Sequence, residues 1–121
     1  LQDVVPTTLA LASTKVPDQM FFQNLLPLLR GETTSSRYPA IYGAYLERQR
    51  AVIHDGWKLI LYPQAGVARL YHLAADPEER TDLAGRPEYA SRQRGLFAEL
   101  LKLQAELGDS LQLTDTYRHL R

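Results

Sequence analysis

No cysteine occurs among the 121 residues, which excludes a disulfide framework, a thiolate zinc site and a cysteine nucleophile. Neither sign of charge is in excess, since 14 Lys and Arg balance 14 Asp and Glu. A net charge of zero supplies no field to draw in nucleic acid or an anionic membrane, so neither is expected as a partner. No apolar run approaches the roughly 20 residues needed to cross a bilayer, so no transmembrane segment is expected, and the start lacks a basic stretch leading into an apolar one. Cytoplasmic and extracytoplasmic settings both stay open on these grounds. The seven glycines are dispersed and build no phosphate-cradling loop, and no serine stands in a G-x-S-x-G setting.

A hydrophobic content of 45% is ordinary for a folded protein and argues against disorder. A chain of this length buries roughly two-thirds of the surface its unfolded form exposes. It opens on LQDVVPTTLALA without an initiator methionine, as a processed chain or one with unseen leading residues would.

The chain is organised around residues 50–73, RAVIHDGWKLILYPQAGVARLYHL. Asp55-Gly56 between two alternating apolar runs is a strong hairpin signal, and residues 63–66 form a second turn. A two-residue first turn sets His54 opposite Trp57, Val52 opposite Leu59 and Arg50 opposite Leu61. A four-residue second loop sets Tyr62 opposite Val67 and Leu59 opposite Leu70. Because opposed residues share a face, Val52, Trp57, Leu59, Leu61, Ala68 and Leu70 form a core face. Ala51, Ile53, Lys58, Ile60, Tyr62, Val67, Arg69 and Tyr71 form an amphipathic one.

Upstream, Asp3 is a reasonable N-cap for a helix of about two turns, with Pro6 in its first turn. A short helical turn at residues 25–29 ends at Gly31. Residues 41–47 read as a first strand rather than a helix, although Leu46, Glu47, Arg48 and Gln49 are good helix formers. Downstream, Asp76-Pro77 opens an acidic turn and Leu83-Ala84-Gly85 closes it. Pro87 starts a long helix whose stripe runs through Leu96, Leu100, Leu103 and Leu107, widened by Phe97 and Leu101, with Gly108 beyond its end. Residues 109–121 show no firm period.

Candidate sites are few. His54, Trp57 and His72 meet at one end of the sheet as a candidate pocket, although two histidines fall short of a zinc site and ordinary hydrogen bonding is the plainer reading. Asp76, Glu78, Glu79 and Asp82 form an acidic loop with no EF-hand spacing, best read as a solvated capping turn. Arg37, Arg48 and Arg50 are candidate contacts for an anion such as sulfate or phosphate, or for substrate access, although partly exposed strand arginines are the plainer reading. No catalytic and no metal-ligating residue is assigned. Val4, Val5, Leu9, Met20, Phe21, Phe22, Leu25 and Leu28 are more apolar surface than a small sheet and one helix bury, and form a candidate self-association surface.

Four stretches, in order, resemble the C-terminal part of formylglycine-dependent sulfatases of the alkaline-phosphatase-like superfamily. DVVPTTLALA resembles the family's D-[hydrophobic]-x-P-T-L-x-x-L-A helix, and LLPLLRGE resembles the S-L-L-P-L-L-x-G segment after it. RAVIHDGWKLILY resembles R-A-V-R-x-x-x-[WY]-K-L-I-x-Y. The most specific stretch is LYHLAADPEERTDLAGRPE, which resembles L-Y-[DN]-L-x-x-D-P-x-E-x-x-N-L-A-x-x-P-E. His72 stands where Asp or Asn is usual, and Asp82 where Asn is usual. MFFQN (20–24) replaces the pair, commonly D-G, that usually precedes S-L-L-P-L. The family's C/S-x-P-x-R nucleophile motif is absent from this sequence.

The resemblance implies an α+β fold, in which a small antiparallel sheet of three to four strands packs against a long C-terminal helix after short helices. It implies that residues 1–31 finish a large domain and cross over, that 32–108 form the C-terminal subdomain and that 109–121 are a tail. It further implies a parent enzyme hydrolysing sulfate esters with calcium and formylglycine, both held by upstream segments, while this chain alone is inactive. The implied partner is that N-terminal catalytic domain; in its absence the apolar surface of residues 3–30 predicts a homodimer with a second copy of the chain. A free-standing assembly module and a piece of a related phosphoesterase or phosphonate hydrolase are the competing expectations.

Overall fold

The computed structural model describes residues 3–20 and 22–121. Phe21, expected on the self-association surface, lies outside the described residues. The chain forms two compact units, Leu1–Tyr38 and Pro39–Arg121.

The first unit holds helices α1 (Val4–Leu11) and α2 (Leu26–Leu29). Asp3 stands at the N-cap position of α1 as expected, but its carboxylate makes no capping bond. Instead its Oδ1 accepts the Gln23 N–H at 3.0 Å and the Tyr38 hydroxyl at 2.6 Å. Burial, with the Asp3 carboxylate beside it, pushes the Tyr38 phenol up to about 12. Thr7 extends the seam, its hydroxyl donating to Asp3 O at 2.6 Å and accepting the Leu25 N–H at 2.9 Å. Gly31 (φ 71°) takes the left-handed turn that ends α2, where the Glu32 N–H returns to Pro27 O at 2.8 Å. Pro6, Thr7 and Leu26 are buried, whereas Val4, Val5, Leu11, Phe22, Leu28 and Leu29 are exposed. Leu9, Met20 and Leu25 are half-buried.

The second unit is a four-stranded antiparallel meander in the order β1 (Ala40–Tyr45), β2 (Gln49–His54), β3 (Trp57–Tyr62) and β4 (Val67–His72). Asp55 (φ 52°) and Gly56 (φ 71°) both adopt the positive φ that a two-residue primed turn requires. The pairing His54–Trp57, Val52–Leu59, Tyr62–Val67 and Leu59–Leu70 follows the sequence-based register. The first strand ends at Tyr45, not at residue 47. Leu46 (φ 47°) reverses the chain and Arg48 N–H closes the turn on Tyr45 O at 3.1 Å.

A 3₁₀ turn (Pro87–Tyr89) leads into α3 (Ala90–Glu106), which packs on the expected core face. Val52, Leu59, Leu61 and Leu70 are fully buried against Leu96, Phe97 and Leu100. The buried stripe of α3 is Gln93, Leu96, Phe97, Leu100 and Gln104, so Phe97 is central. Leu107, expected at the end of that stripe, is exposed, because the helix has stopped and Gly108 (φ 71°) turns the chain away. Residues 109–121, read as a tail, supply Leu113, Tyr117 and Leu120 to the same core. Tyr117 is fully buried, its hydroxyl donates to Val67 O at 3.0 Å, and burial pushes its phenol up to about 12. The amphipathic face is mixed, with Ile60 and Tyr71 buried and Ile41, Tyr45 and Val67 exposed.

Leu100→Ala should lower stability by about 2–5 kcal/mol, the usual loss when a buried leucine is truncated. Lys102→Ala, on an exposed position of the same helix, should stay within about 0.5 kcal/mol. Urea unfolding of the two variants measures both, and equal losses would contradict the packing described.

Candidate functional site

The first candidate lies where β2 and β3 meet the start of α3. Trp57 follows the Asp55-Gly56 turn directly, and its cross-strand neighbour is His72. Their rings stack with centroids 4.2 Å apart and planes within 5°. Tyr89 tilts against the indole at 5.4 Å, and the Arg92 guanidinium lies over it at 5.4 Å. Arg92 also approaches the turn, with Nη1 3.4 Å from Asp55 Oδ2. His54 opens onto a shallow groove of about 560 Å³ lined by Glu88, Ser91, Arg92, Gly95, Leu96 and Glu99. The three expected pocket residues are thus neighbours in register, but His72 is committed to the Trp57 ring while His54 faces the groove.

Each acidic-loop carboxylate has its own donor. Asp76 Oδ2 accepts the Thr81 N–H at 2.8 Å, and the Thr81 and Arg80 N–H groups hold its carboxyl below the usual range. Glu79 grips Lys58 Nζ with both oxygens, at 2.8 and 2.9 Å, and Glu78 pairs with Arg80. Asp82 Oδ1 accepts Leu70 N–H and Ala84 N–H, both at 3.0 Å, and its other oxygen meets Arg69 at 3.2 Å. A carboxylate at position 82 therefore does acceptor work that an asparagine oxygen would also do. Among the described residues no group of three or more His, Asp and Glu is placed to hold a metal ion.

The anion-contact arginines separate. Arg37 belongs to the first unit, while Arg48 and Arg50 belong to the second. Arg48 is exposed beside the β1–β2 turn. Arg50 is buried and engaged on three sides. Nε and Nη2 form a fork on the Asp109 carboxylate at 2.5 and 3.1 Å, and Nη1 donates to Leu46 O and Gln49 O. The Tyr42 hydroxyl adds a 2.6 Å bond to Asp109 Oδ2, and Leu111 N–H adds one of 3.0 Å to Oδ1. Arg50 is thus a buried cation whose fork is already occupied by Asp109.

The Arg50 guanidinium, helped by the Tyr42 hydroxyl and Leu111 N–H, holds the Asp109 carboxyl well below the usual carboxylate range despite burial. Burial, and then the Asp109 carboxylate, raise the Tyr42 phenol above its ordinary value. The sequence contained a signal for this cluster. Arg50 opposes Leu61 on the apolar face, and a guanidinium there requires a buried counter-charge. Nothing in the periodicity of residues 109–121 singles out Asp109 as that partner.

Comparison with known proteins places these features in a wider set. The family model described as N-sulphoglucosamine sulphohydrolase, C-terminal, matches residues 2–106. An ulvan-active sulfatase of Formosa agariphila is 27% identical over 122 residues, covering 95% of this chain and 24% of that protein. A putative sulfatase from Bacteroides thetaiotaomicron superposes with a TM-score of 0.77 at 27% identity, over 98% of this chain and 28% of that one. The phosphonate monoester hydrolase of Agrobacterium radiobacter superposes with a TM-score of 0.61 at 26% identity, over 86% and 24%. The chain therefore spans about a quarter of the length of each of these proteins.

Asp109→Asn should cost about 3 kcal/mol at neutral pH, because it strands a buried guanidinium without its counter-charge. The folded-state value of Asp109 lies below its ordinary 3.8, so the pair's contribution is complete above that pH and is lost as pH falls further. The stability gap between parent and variant should accordingly shrink below about pH 4. Urea melts from pH 7 to pH 2.5 measure it, and a gap independent of pH would contradict the assignment.

Proposed function

This chain belongs to the N-sulphoglucosamine sulphohydrolase C-terminal family, and we propose that it serves as the non-catalytic C-terminal part of a sulfatase that hydrolyses sulfate esters. The match over residues 2–106 carries this reading. In it, the first unit finishes a large upstream domain, and the sheet with α3 forms a rigid subdomain beside that domain's active site. Calcium and formylglycine belong to the upstream segments in this reading. The described residues offer no metal-holding cluster and the sequence no C/S-x-P-x-R motif.

The contribution of this part is geometric. The His54–Trp57–His72 end and the exposed Arg37 and Arg48 are the groups we assign to shaping or contacting the approach of an anionic substrate. Guanidinium suits that task, since its planar fork matches the oxygens of a sulfate group. Val4, Val5, Leu11 and Leu29, each more than half exposed, form the surface we assign to contact with the upstream domain. Without that domain, self-association through Val4, Val5, Leu9, Met20, Leu25 and Leu28 is the alternative way to remove it from water. The likeness to the Agrobacterium phosphonate monoester hydrolase supports a second reading, in which the parent acts on a phosphonate ester.

The purified chain should turn over neither 4-nitrophenyl sulfate nor a 4-nitrophenyl phosphonate, with or without calcium. The sequence has no C/S-x-P-x-R motif to supply the covalent nucleophile, and no cluster among the described residues is placed to hold the metal that such chemistry uses. Turnover that survives repurification and scales with chain concentration would overturn the reading.

A further inference from the structure

The two edges of the sheet are treated differently. At β4 the outward backbone of Leu70 is bonded on both groups, its N–H to Asp82 Oδ1 at 3.0 Å and its carbonyl to Leu83 N–H at 2.8 Å. At β1 nothing equivalent exists among the described residues of the second unit. A two-residue turn makes His54 and Trp57 a hydrogen-bonded pair, so the backbones of His54, Val52 and Arg50 face β3. Those of Ile53, Ala51 and Gln49 then face β1, and their partners Ile41, Gly43 and Tyr45 bond inward. By the same alternation Leu70 must point outward on β4, which is where Asp82 and Leu83 meet it.

The N–H and carbonyl groups of Ala40, Tyr42 and Ala44 therefore point away from the sheet. Among the described residues of the second unit they have no hydrogen-bond partner. The strand reads AIYGAY, with none of the charges or prolines that usually protect an open edge. Ile41 is 46% exposed and Tyr45 is 60% exposed, both on the face away from α3.

We propose that β1 pairs antiparallel with β1 of a second copy of this chain, about a two-fold axis through Gly43, so that two sheets become one. In this register Tyr42 faces Ala44 of the second copy twice, and their outward groups make about four hydrogen bonds across the axis. Gly43 forms the closer, non-hydrogen-bonded pair on the axis. Ile41 lies opposite Tyr45 of the second copy, again twice, giving two aromatic against β-branched pairs. One register thus satisfies the backbone phase and joins the two exposed large apolar side chains of the strand. β1 bears no charge, so no like charges oppose each other when it meets its own copy. That self-complementarity selects a second copy over an unrelated strand.

Three substitutions in the 121-residue chain test this. Gly43→Cys introduces the only thiol, and its Cβ meets nothing nearer than the Ala51 Cβ at 3.9 Å, an ordinary contact. Under mild oxidation it should yield a disulfide-linked dimer. Ile41→Lys and Tyr45→Glu, both at exposed positions, should each weaken the dimer about tenfold or more in sedimentation equilibrium. The double variant Ile41→Lys/Tyr45→Glu should return to near the parent affinity, because opposite charges then face each other across the axis. Circular dichroism checks that each variant is folded. A chain monomeric at every concentration, a Gly43→Cys variant that stays a free thiol, or association indifferent to Ile41→Lys would each overturn the proposal. Association abolished instead by Val4→Ser and Val5→Ser would overturn it as well, and would place the contact on the first unit.

Discussion

The second unit depends on one buried ion pair. Arg50 sits on the face of the sheet that otherwise presents Val52, Leu59, Leu61 and Leu70, where an uncompensated charge would be expelled or neutralised. Asp109 answers it with a two-pronged carboxylate, and Tyr42, Leu46 and Gln49 satisfy the remaining polar groups. Such pairs add little net stability over a well-packed apolar substitute, but breaking one is costly. Its consequence here is positional. Asp109 follows Gly108, so fastening it to β2 sets where the chain turns after α3 and brings Leu113, Tyr117 and Leu120 over the core. Gln104 secures the same turn from the helix side through Leu111 O at 2.8 Å.

The opposite end of α3 is tied by aromatic stacking rather than charge. Trp57 is layered on His72, touched by Tyr89 and covered by Arg92, which itself reaches the Asp55-Gly56 turn. The helix is thus clamped near both termini to the same sheet, with Leu96, Phe97 and Leu100 filling the span between. A two-layer slab held this way keeps its loops in fixed relation to one another. On the reading proposed for this family member, that rigidity is its contribution to a longer enzyme, which supplies the chemistry elsewhere. The first unit is built on a different principle, a hydrogen-bonded seam through Asp3, Thr7, Gln23, Leu25 and Tyr38, with much of its apolar surface left outward.

The sheet was legible from the sequence because its information is local. Asp55-Gly56 supplies the two positive φ angles of a tight hairpin, and the alternation of apolar residues then assigns every side chain from Arg50 to His72 to a face. Proline at residue 87, a 3.6-residue stripe and Gly108 marked the long helix for the same reason. The His54–Trp57–His72 group was legible too, since register alone makes its members neighbours. The misreadings occurred where local rules meet a tertiary partner. Asp3 has the chemistry of an N-cap but is drawn off by Tyr38 and Gln23. Strand propensity through residue 47 yields to a reversal at Leu46, whose carbonyl accepts a bond from Arg50.

By itself, then, the sequence determined the meander, its register, its core face and the helix that covers it, because each rests on turn residues and periodicities within a few positions. It also showed that the chain carries no cysteine and no C/S-x-P-x-R motif. Only the tertiary structure decided that Arg50 pairs with Asp109, that Leu113, Tyr117 and Leu120 join the core, and that Asp82 and Leu83 cap the outward backbone of β4. Those features join residues far apart in the chain, Arg50 with Asp109 and Val67 with Tyr117 among them. Neither periodicity nor turn chemistry specifies such pairings, since they follow from which polar groups the packed layers leave to be satisfied.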